Sequence, residues 1–319
     1  MRGSSAAGAI RYACAELREH HDDPLWWRAR LLQRVVAPIH RVHPGRRNGI
    51  RVMEEDWDTL VVLDACRADL FEAVADRSRF DAYRRVQSRG SMTAEWIEEN
   101  FAGRAFGDTV YVSANPFVTK LAGDAFHHVE PVWRDGFDAT HRTVLPGTVA
   151  DAAREAHARF PDKRLIVHFM QPHYPFVGHE ALTYASWDPA EIVGESTDEE
   201  RPHDPWQALE MGLVDRETVG RAYAGNLGPA LDAALALAGD VPGRTVLTAD
   251  HGNLLGERAW PVPVRAYGHP PGLCVPALTT VPWAVLDGER RSIADDGVRP
   301  ASIEDERRRE RRLRALGYR

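Results

Sequence analysis

Four short apolar runs punctuate the chain: Thr59–Leu63, Thr109–Val112, Leu165–Phe169 and Thr245–Leu247. Each is predominantly apolar rather than alternating, as in strands buried on both faces of a parallel sheet. Between them, helical patterns cover Ala94–Phe101, Val144–Arg159 and Arg216–Ala238. Strands that alternate with helices predict an α/β fold with a central, mostly parallel sheet and helices on both faces. Another short β-like run precedes Val281-Pro-Trp283.

Outside this alternation the pattern changes. Residues 1–50 read as a helical arm with helices over Ala6–His20 and Pro24–Val42, and residues 51–319 read as a catalytic domain. In the second helix, Leu25, Trp26, Leu32, Val35, Val36 and Ile39 are interleaved with Arg28, Arg30, Arg34 and Arg41. Such a helix either packs on the domain with a solvated arginine face or lies on an anionic membrane surface, giving peripheral contact through residues 24–42. Residues 183–215 read as a long surface insertion. Ile303–Arg319 reads as a solvated, salt-bridged helix whose end Leu313, Leu316 and Tyr318 pin to the domain.

Composition narrows the classes. The 319 residues carry a net charge of −7, which leaves no excess positive charge for neutralising phosphates and argues against a nucleic-acid partner. The three cysteines, Cys14, Cys66 and Cys274, form no CxxC pair and no disulfide framework. The first residues lack the apolar core of a secretory signal, and no apolar stretch is long enough to span a bilayer. A cytoplasmic, at most membrane-peripheral, protein is expected.

Residues suited to chemistry gather where the strands end. Thr245-Val-Leu-Thr-Ala-Asp250-His251-Gly252 closes an apolar run with a carboxylate and an imidazole before a glycine. That arrangement presents metal ligands at a sheet edge. Asp64 directly follows Thr59–Leu63 and reads either as a ligand or as a helix N-cap. In Gly90-Ser91-Met92-Thr93-Ala94, Ser91 and Thr93 lie at a helix start, where a hydroxyl either caps the helix or serves as a nucleophile. His168 ends the third strand, and His173 and the less secure His179 follow in a loop braced by Pro172 and Pro175. His269 lies in a Gly/Pro-rich loop. Cys66 reads as apolar packing, Arg67 and Arg89 as salt-bridge formers, and Glu257 has no assigned role. Mixed carboxylate and imidazole donors suit one or two Zn²⁺ or Mn²⁺ ions rather than Ca²⁺.

In this order along the chain, the motifs resemble the alkaline phosphatase superfamily. Thr248-Ala-Asp250-His251-Gly252-Asn253 is similar to the metal-binding strand end of cofactor-independent phosphoglycerate mutases and sulfatases. Leu63-Asp64-Ala-Cys-Arg67-Ala-Asp69 resembles the first metal-binding segment of sulfatases, with Ala65 where a second acid is usual. Gly90-Ser-Met-Thr93-Ala94 resembles the nucleophile turn of phosphoethanolamine transferases, which puts the nucleophile on Thr93. His168, His173 and His269 match histidines of the same enzymes, and Leu313-Arg-Ala-Leu-Gly-Tyr318 is similar to a tail of sulfatase-like proteins.

The resemblance implies an alkaline phosphatase-like fold. It also implies a metal-dependent phosphoesterase or phosphotransferase working through a covalent phospho-threonine. Asp64, Thr93, Asp250 and His251 would surround one ion, while His168, His173 and His269 hold a second or position substrate. The substrate would be a small-molecule, glycan or lipid head-group ester. Two other readings stand beside this one: a sulfatase-like hydrolase, and a non-catalytic metal-stabilised scaffold that binds a membrane or partner.

Overall fold

The computed structural model describes residues 15–42, 48–184 and 202–298. Its strands are β1 (Thr59–Leu63), β2 (Ala82–Gln87), β3 (Phe106–Ser113), β4 (Phe126–Pro131), β5 (Phe137–Asp138), β6 (Thr143–Val144), β7 (Arg164–Phe169), β8 (Thr245–Thr248), β9 (Leu254–Ala259), β10 (Val264–Gly268) and β11 (Thr280–Leu286). Seven form one sheet in the order β2-β11-β8-β1-β7-β3-β4. The neighbours from β8 to β4 pair in parallel, and β11 runs antiparallel to both β8 and β2. The α/β sheet predicted from the apolar runs is therefore the observed one. Every residue of β1 is buried, as expected of a central parallel strand covered on both faces.

Helices form the covering layers. Helix Arg216–Asp240 packs on helices Pro146–Arg159 and Ala68–Val74, while helix Thr93–Phe101 packs on helix Pro116–Ala122. The expected helix over Val144–Arg159 starts two residues later, at Pro146, whose fixed φ suits a first helical position. Val144 belongs instead to β6.

The helix expected over Pro24–Val42 is one run with a flaw: α-helix Pro24–Leu31, a π turn at Leu32–Val36, then α-helix Ala37–Arg41. Pro38 has no N–H to offer the preceding turn, and a local π turn is a common accommodation. Leu32, Val36 and Ala37 are buried against Leu254, Ala259 and Ala266 of the β9–β10 hairpin, so this helix packs on the domain.

Within the expected surface insertion, residues 185–201 lie outside the described residues. The stretch after them is not superficial: helix Pro205–Glu210 buries Pro205, Trp206 and Ala208. Trp206 stacks edge-on against Phe176 and Tyr223. Ala6–His20 is described only from residue 15, and the tail with Leu313, Leu316 and Tyr318 lies outside the described residues.

Candidate metal centre

Strand register brings the ligand candidates together. Val62 of β1 pairs with Thr248 of β8 on one side and His168 of β7 on the other. Asp64 and Asp250 therefore each stand two residues beyond a paired position on adjacent strands, whose axes lie about 4.8 Å apart. One ligand atom from each of Asp64, His168 and Asp250 lies within 4.8 Å of the others, and all three residues are buried. Such a group is able to hold a metal ion.

Thr93 comes from the far side of the sheet. Its loop returns from edge strand β2, with the Ser88 N–H donating to Thr279 O at 2.7 Å and the Ser88 hydroxyl donating to Asp250 O. Gly90 is required there by proximity rather than by its φ, because a Cβ would stand 2.5 Å from Trp96 N. The helix starts at Thr93 itself, and its N-cap, Met92, makes no side-chain capping bond. Thr93 is thus released from capping: its Oγ1 donates to Asp250 Oδ2 at 2.7 Å and stands 3.3 Å from His251 Nε2. Ser91 is committed elsewhere, donating to Glu95 Oε2 at 2.6 Å and accepting from Gly272 N at 3.0 Å. Of the two hydroxyls, only Thr93 is shown reaching the carboxylates.

The remaining atoms of the Asp250 loop are tied down. Asp250 Oδ1 accepts from Ala65 N and His251 N, both at 2.9 Å, which leaves Oδ2 to face the cluster. Ala65 sits at φ 59°, a left-handed conformation costly for a residue with a Cβ. Its carbonyl accepts from the buried Tyr223 hydroxyl, so both sides of this strained peptide are held. His251 Nδ1 donates to Gly252 O at 2.8 Å, so Nε2 presents its lone pair 3.4 Å from Asp250 Oδ2 and 4.0 Å from Asp64 Oδ1. Gly252 is needed because a Cβ would meet Ala277 O at 2.3 Å.

His168 joins this carboxylate group instead of standing apart with His173 and His269. Its Nε2 lies 3.5 Å from Asp64 Oδ2 and 3.9 Å from Asp250 Oδ2, and it has no hydrogen-bond partner despite full burial. Such orphaned buried nitrogens call for an explanation, and a cation between the carboxylates supplies one. The Tyr111 hydroxyl lies 2.9 Å from His168 Nδ1. Burial and the Asp250 and Asp64 charges raise the phenol far above its ordinary range, so it stays neutral. In the tautomer that carries its proton on Nδ1, facing this phenol oxygen, the Nε2 lone pair would point at the cluster. Replacing Tyr111 by Phe is expected to weaken Zn²⁺ binding about tenfold, measured by competition with a chromophoric chelator. Unchanged affinity would mean that His168 is not oriented through Tyr111.

His173 and His269 form the other side. Their ring centroids are 5.2 Å apart, and those of His269 and His251 are 4.9 Å apart. His269 Nδ1 bonds Asn253 Oδ1 at 2.9 Å. Burial, followed by repulsion from His251 and His173, pushes the His269 pKa well down, so the ring stays neutral. Burial pushes Asp64 up, but the neighbouring His168, His173 and His251 imidazoles outweigh it and hold this carboxyl well below the usual carboxylate range.

Three supporting residues carried no sequence signal. Asn115 Nδ2 donates to Asp64 Oδ2 at 2.6 Å while its own Oδ1 caps helix Pro116–Ala122. Asn226, buried in helix Arg216–Asp240, donates to the carbonyls of Pro172, His173 and Pro175 and accepts from Val177 N. The third, Tyr111, is described above. Replacing Asn226 by Ala strands these loop groups and is expected to cost about 2 kcal/mol of stability, read from urea unfolding. A loss within error would show that the loop holds itself.

Other candidates take structural places. Arg67 is buried; its guanidinium bonds Asp69, Asn253 O at 3.0 Å and Glu257 at 2.8 Å, which gives Glu257 a bracing role. Arg89 pairs with Glu99. The Cys66 thiol is fully buried, and burial together with the Asp69 and Asp250 charges raises its pKa, so it packs as a neutral thiol. His179 is exposed and turns toward Gly225.

No family model matches the sequence, and no curated protein matches it. Similarity is found among solved structures. The integral membrane protein lipooligosaccharide phosphoethanolamine transferase A from Neisseria meningitidis is 15% identical with a TM-score of 0.42, over 71% of this chain and 47% of that one. The chain thus spans about half of that protein. The periplasmic domain of the transferase EptC from Escherichia coli, in complex with Zn, gives 14% identity and a TM-score of 0.44 over 73% and 72%. An alkaline phosphatase superfamily protein from Vibrio parahaemolyticus gives 14% and 0.41 over 78% and 64%. These are the kinds of protein the motifs resemble, but at such values the chemistry of this chain rests on its own side chains.

The cytoplasmic placement expected from the sequence is corrected by these matches, which include a periplasmic domain and an integral membrane protein. No helix among the described residues is long and apolar enough to cross a membrane, which assigns no compartment.

Proposed function

We propose that the protein is a metal-dependent phosphoesterase or phosphotransferase with Thr93 as its nucleophile. The observation that carries this reading is the placement of Thr93 Oγ1, 2.7 Å from Asp250 Oδ2 and 3.3 Å from His251 Nε2, at the start of an uncapped helix. Asp64, Asp250, His251 and Thr93 would hold a divalent ion, with the unpartnered His168 Nε2 beside them. Two carboxylates with imidazole nitrogens suit Zn²⁺ or Mn²⁺. When bound, such an ion supplies positive charge that lowers the pKa of a hydroxyl and offsets charge on phosphoryl oxygens.

The chain's own groups do the rest. Asp250 fixes the Thr93 hydroxyl, whose oxygen gives up its proton to solvent and attacks phosphorus as the bond to the leaving oxygen breaks and that oxygen takes a proton from water. The positive N-terminal end of helix Thr93–Phe101 would face the phosphoryl oxygens. His173 and His269 bind the substrate's remaining oxygens or a second ion. Water or an acceptor alcohol then displaces Thr93 from phosphorus, completing hydrolysis or transfer. The substrate is a small-molecule, glycan or lipid head-group ester.

The test is turnover of an aryl phosphate and an aryl sulfate by metal-stripped protein resupplied with Zn²⁺ or Mn²⁺. Metal-dependent release from the phosphate is expected. Preference for the sulfate would move the protein to sulfatase chemistry, and tight metal binding without turnover of either ester would make it a scaffold.

A further inference from the structure

We infer that the N-terminal helix and the neighbouring hairpin turn form a docking face for an anionic lipid bilayer surface. The inference is independent of the reaction proposed above. Large apolar side chains that stay exposed are normally scattered over a soluble protein, whereas a concentration of them marks an interaction surface. Here they are concentrated. Trp27, Val35, Ile39 and Val42 are exposed along the face of the Pro24–Arg41 helical run that points away from the domain, and Leu17 lies on the stretch before it.

The remaining exposed large apolar side chains among the described residues adjoin this helix. Trp260, 63% exposed, sits on the β9–β10 turn, and its carbonyl accepts from His40 Nε2. His40 is held in that role by Cys274 N, which donates to Nδ1 at 2.9 Å. Met211 and Leu213 directly follow Glu210, which pairs with Arg28 at 2.8 Å. The helix, the hairpin turn and the end of helix Pro205–Glu210 are thus joined by hydrogen bonds and an ion pair.

Charge selects the occupant. The stretch 15–23 that carries Leu17 holds Glu16, Glu19, Asp22 and Asp23 against Arg18, while residues 24–42 contain four arginines and no Asp or Glu. Arg28 and Arg30 are paired with Glu210 and Glu16. Arg34 and Arg41 are exposed, make no ion pair among the described residues, and flank Val35, Ile39 and Val42. Tryptophan at the rim, aliphatic residues between and arginines alongside match a helix lying in the head-group region of an anionic leaflet.

The test uses the full chain with vesicles of phosphatidylcholine alone and of phosphatidylcholine mixed with phosphatidylglycerol. Cosedimentation with the mixed vesicles only, reversed by high salt, is expected, together with a blue shift of tryptophan emission. Arg34→Glu combined with Arg41→Glu is expected to weaken binding at least about tenfold. Val35→Ser with Ile39→Ser and Val42→Ser is expected to abolish it, with circular dichroism unchanged as the control for folding. Failure to bind mixed vesicles, equal binding to neutral ones, or binding untouched by either set of substitutions would overturn the inference. So would a dimer in sedimentation velocity that the serine variant dissolves, since the face would then belong to a second copy of the chain.

Discussion

Replacing Thr93 by alanine is expected to reduce ester turnover by about three orders of magnitude or more. The hydroxyl is buried and its one short hydrogen bond goes to Asp250 Oδ2, so no neighbouring oxygen takes its place. Ser91, two residues away, is engaged by Glu95 and Gly272 and cannot rotate in without breaking both bonds. Metal affinity should fall much less, because Asp64, Asp250 and His251 remain. Stability should fall by about 1 kcal/mol, the usual worth of one buried hydrogen bond. Thr93→Ser keeps the oxygen and should keep most of the rate. Single-turnover kinetics with an aryl phosphate, and a search by mass spectrometry for phosphate on Thr93, decide the matter. Wild-type rates from Thr93→Ala would remove the nucleophile assignment.

Replacing Asp250 by asparagine is expected to lower metal affinity by more than about a hundredfold, beyond the loss typical of an outer-shell group. It should also produce an unusual stability pattern. Without metal, Asp64 and Asp250 place two buried carboxyls beside one another, with imidazoles and the donors of Asn115, Thr93, Ala65 and His251 around them but no cation between. Like charges in a low-dielectric interior repel, so neutralising one should leave the metal-free protein as stable as the parent or more so. The asparagine Oδ1 still accepts from Ala65 N and His251 N, which preserves the loop. Metal-induced stabilisation, worth about 4 kcal/mol at a thousandfold excess over Kd, should disappear. Melting curves with and without Zn²⁺, alongside elemental analysis of dialysed protein, report both effects. Equal metal-induced gains in parent and variant would show that Asp250 is not a ligand.

What the sequence made legible follows from locality. Asp64 stands directly after an apolar run and Asp250 just beyond one, so strand ends and carboxylates are read from the same few residues. Ser91 and Thr93 both stand at the helix start, and their different surroundings appear only in the folded chain. Glu95 takes Ser91, and the helix begins at Thr93 with no capping side chain. The grouping of His168 depended on knowing that β7 pairs with β1 opposite Val62, a fact of strand order. Tyr111 and Asn115 were invisible for the same reason: they reach the site because β3 lies beside β7. Asn226 lies in the middle of a long helix, where a lone asparagine reads as an ordinary polar residue. The N-terminal helix packs one face on the hairpin and leaves its arginine-flanked face outside, as in the first of the two arrangements read from its sequence.

The most direct measurement is anomalous diffraction at the zinc edge from crystals of the zinc-loaded protein. A peak within coordination distance of Asp64, Asp250, His251 and Thr93 Oγ1 is the expected result. A peak bound to other residues, or an Asp64–Asp250 pair turned away from the ion, would contradict it.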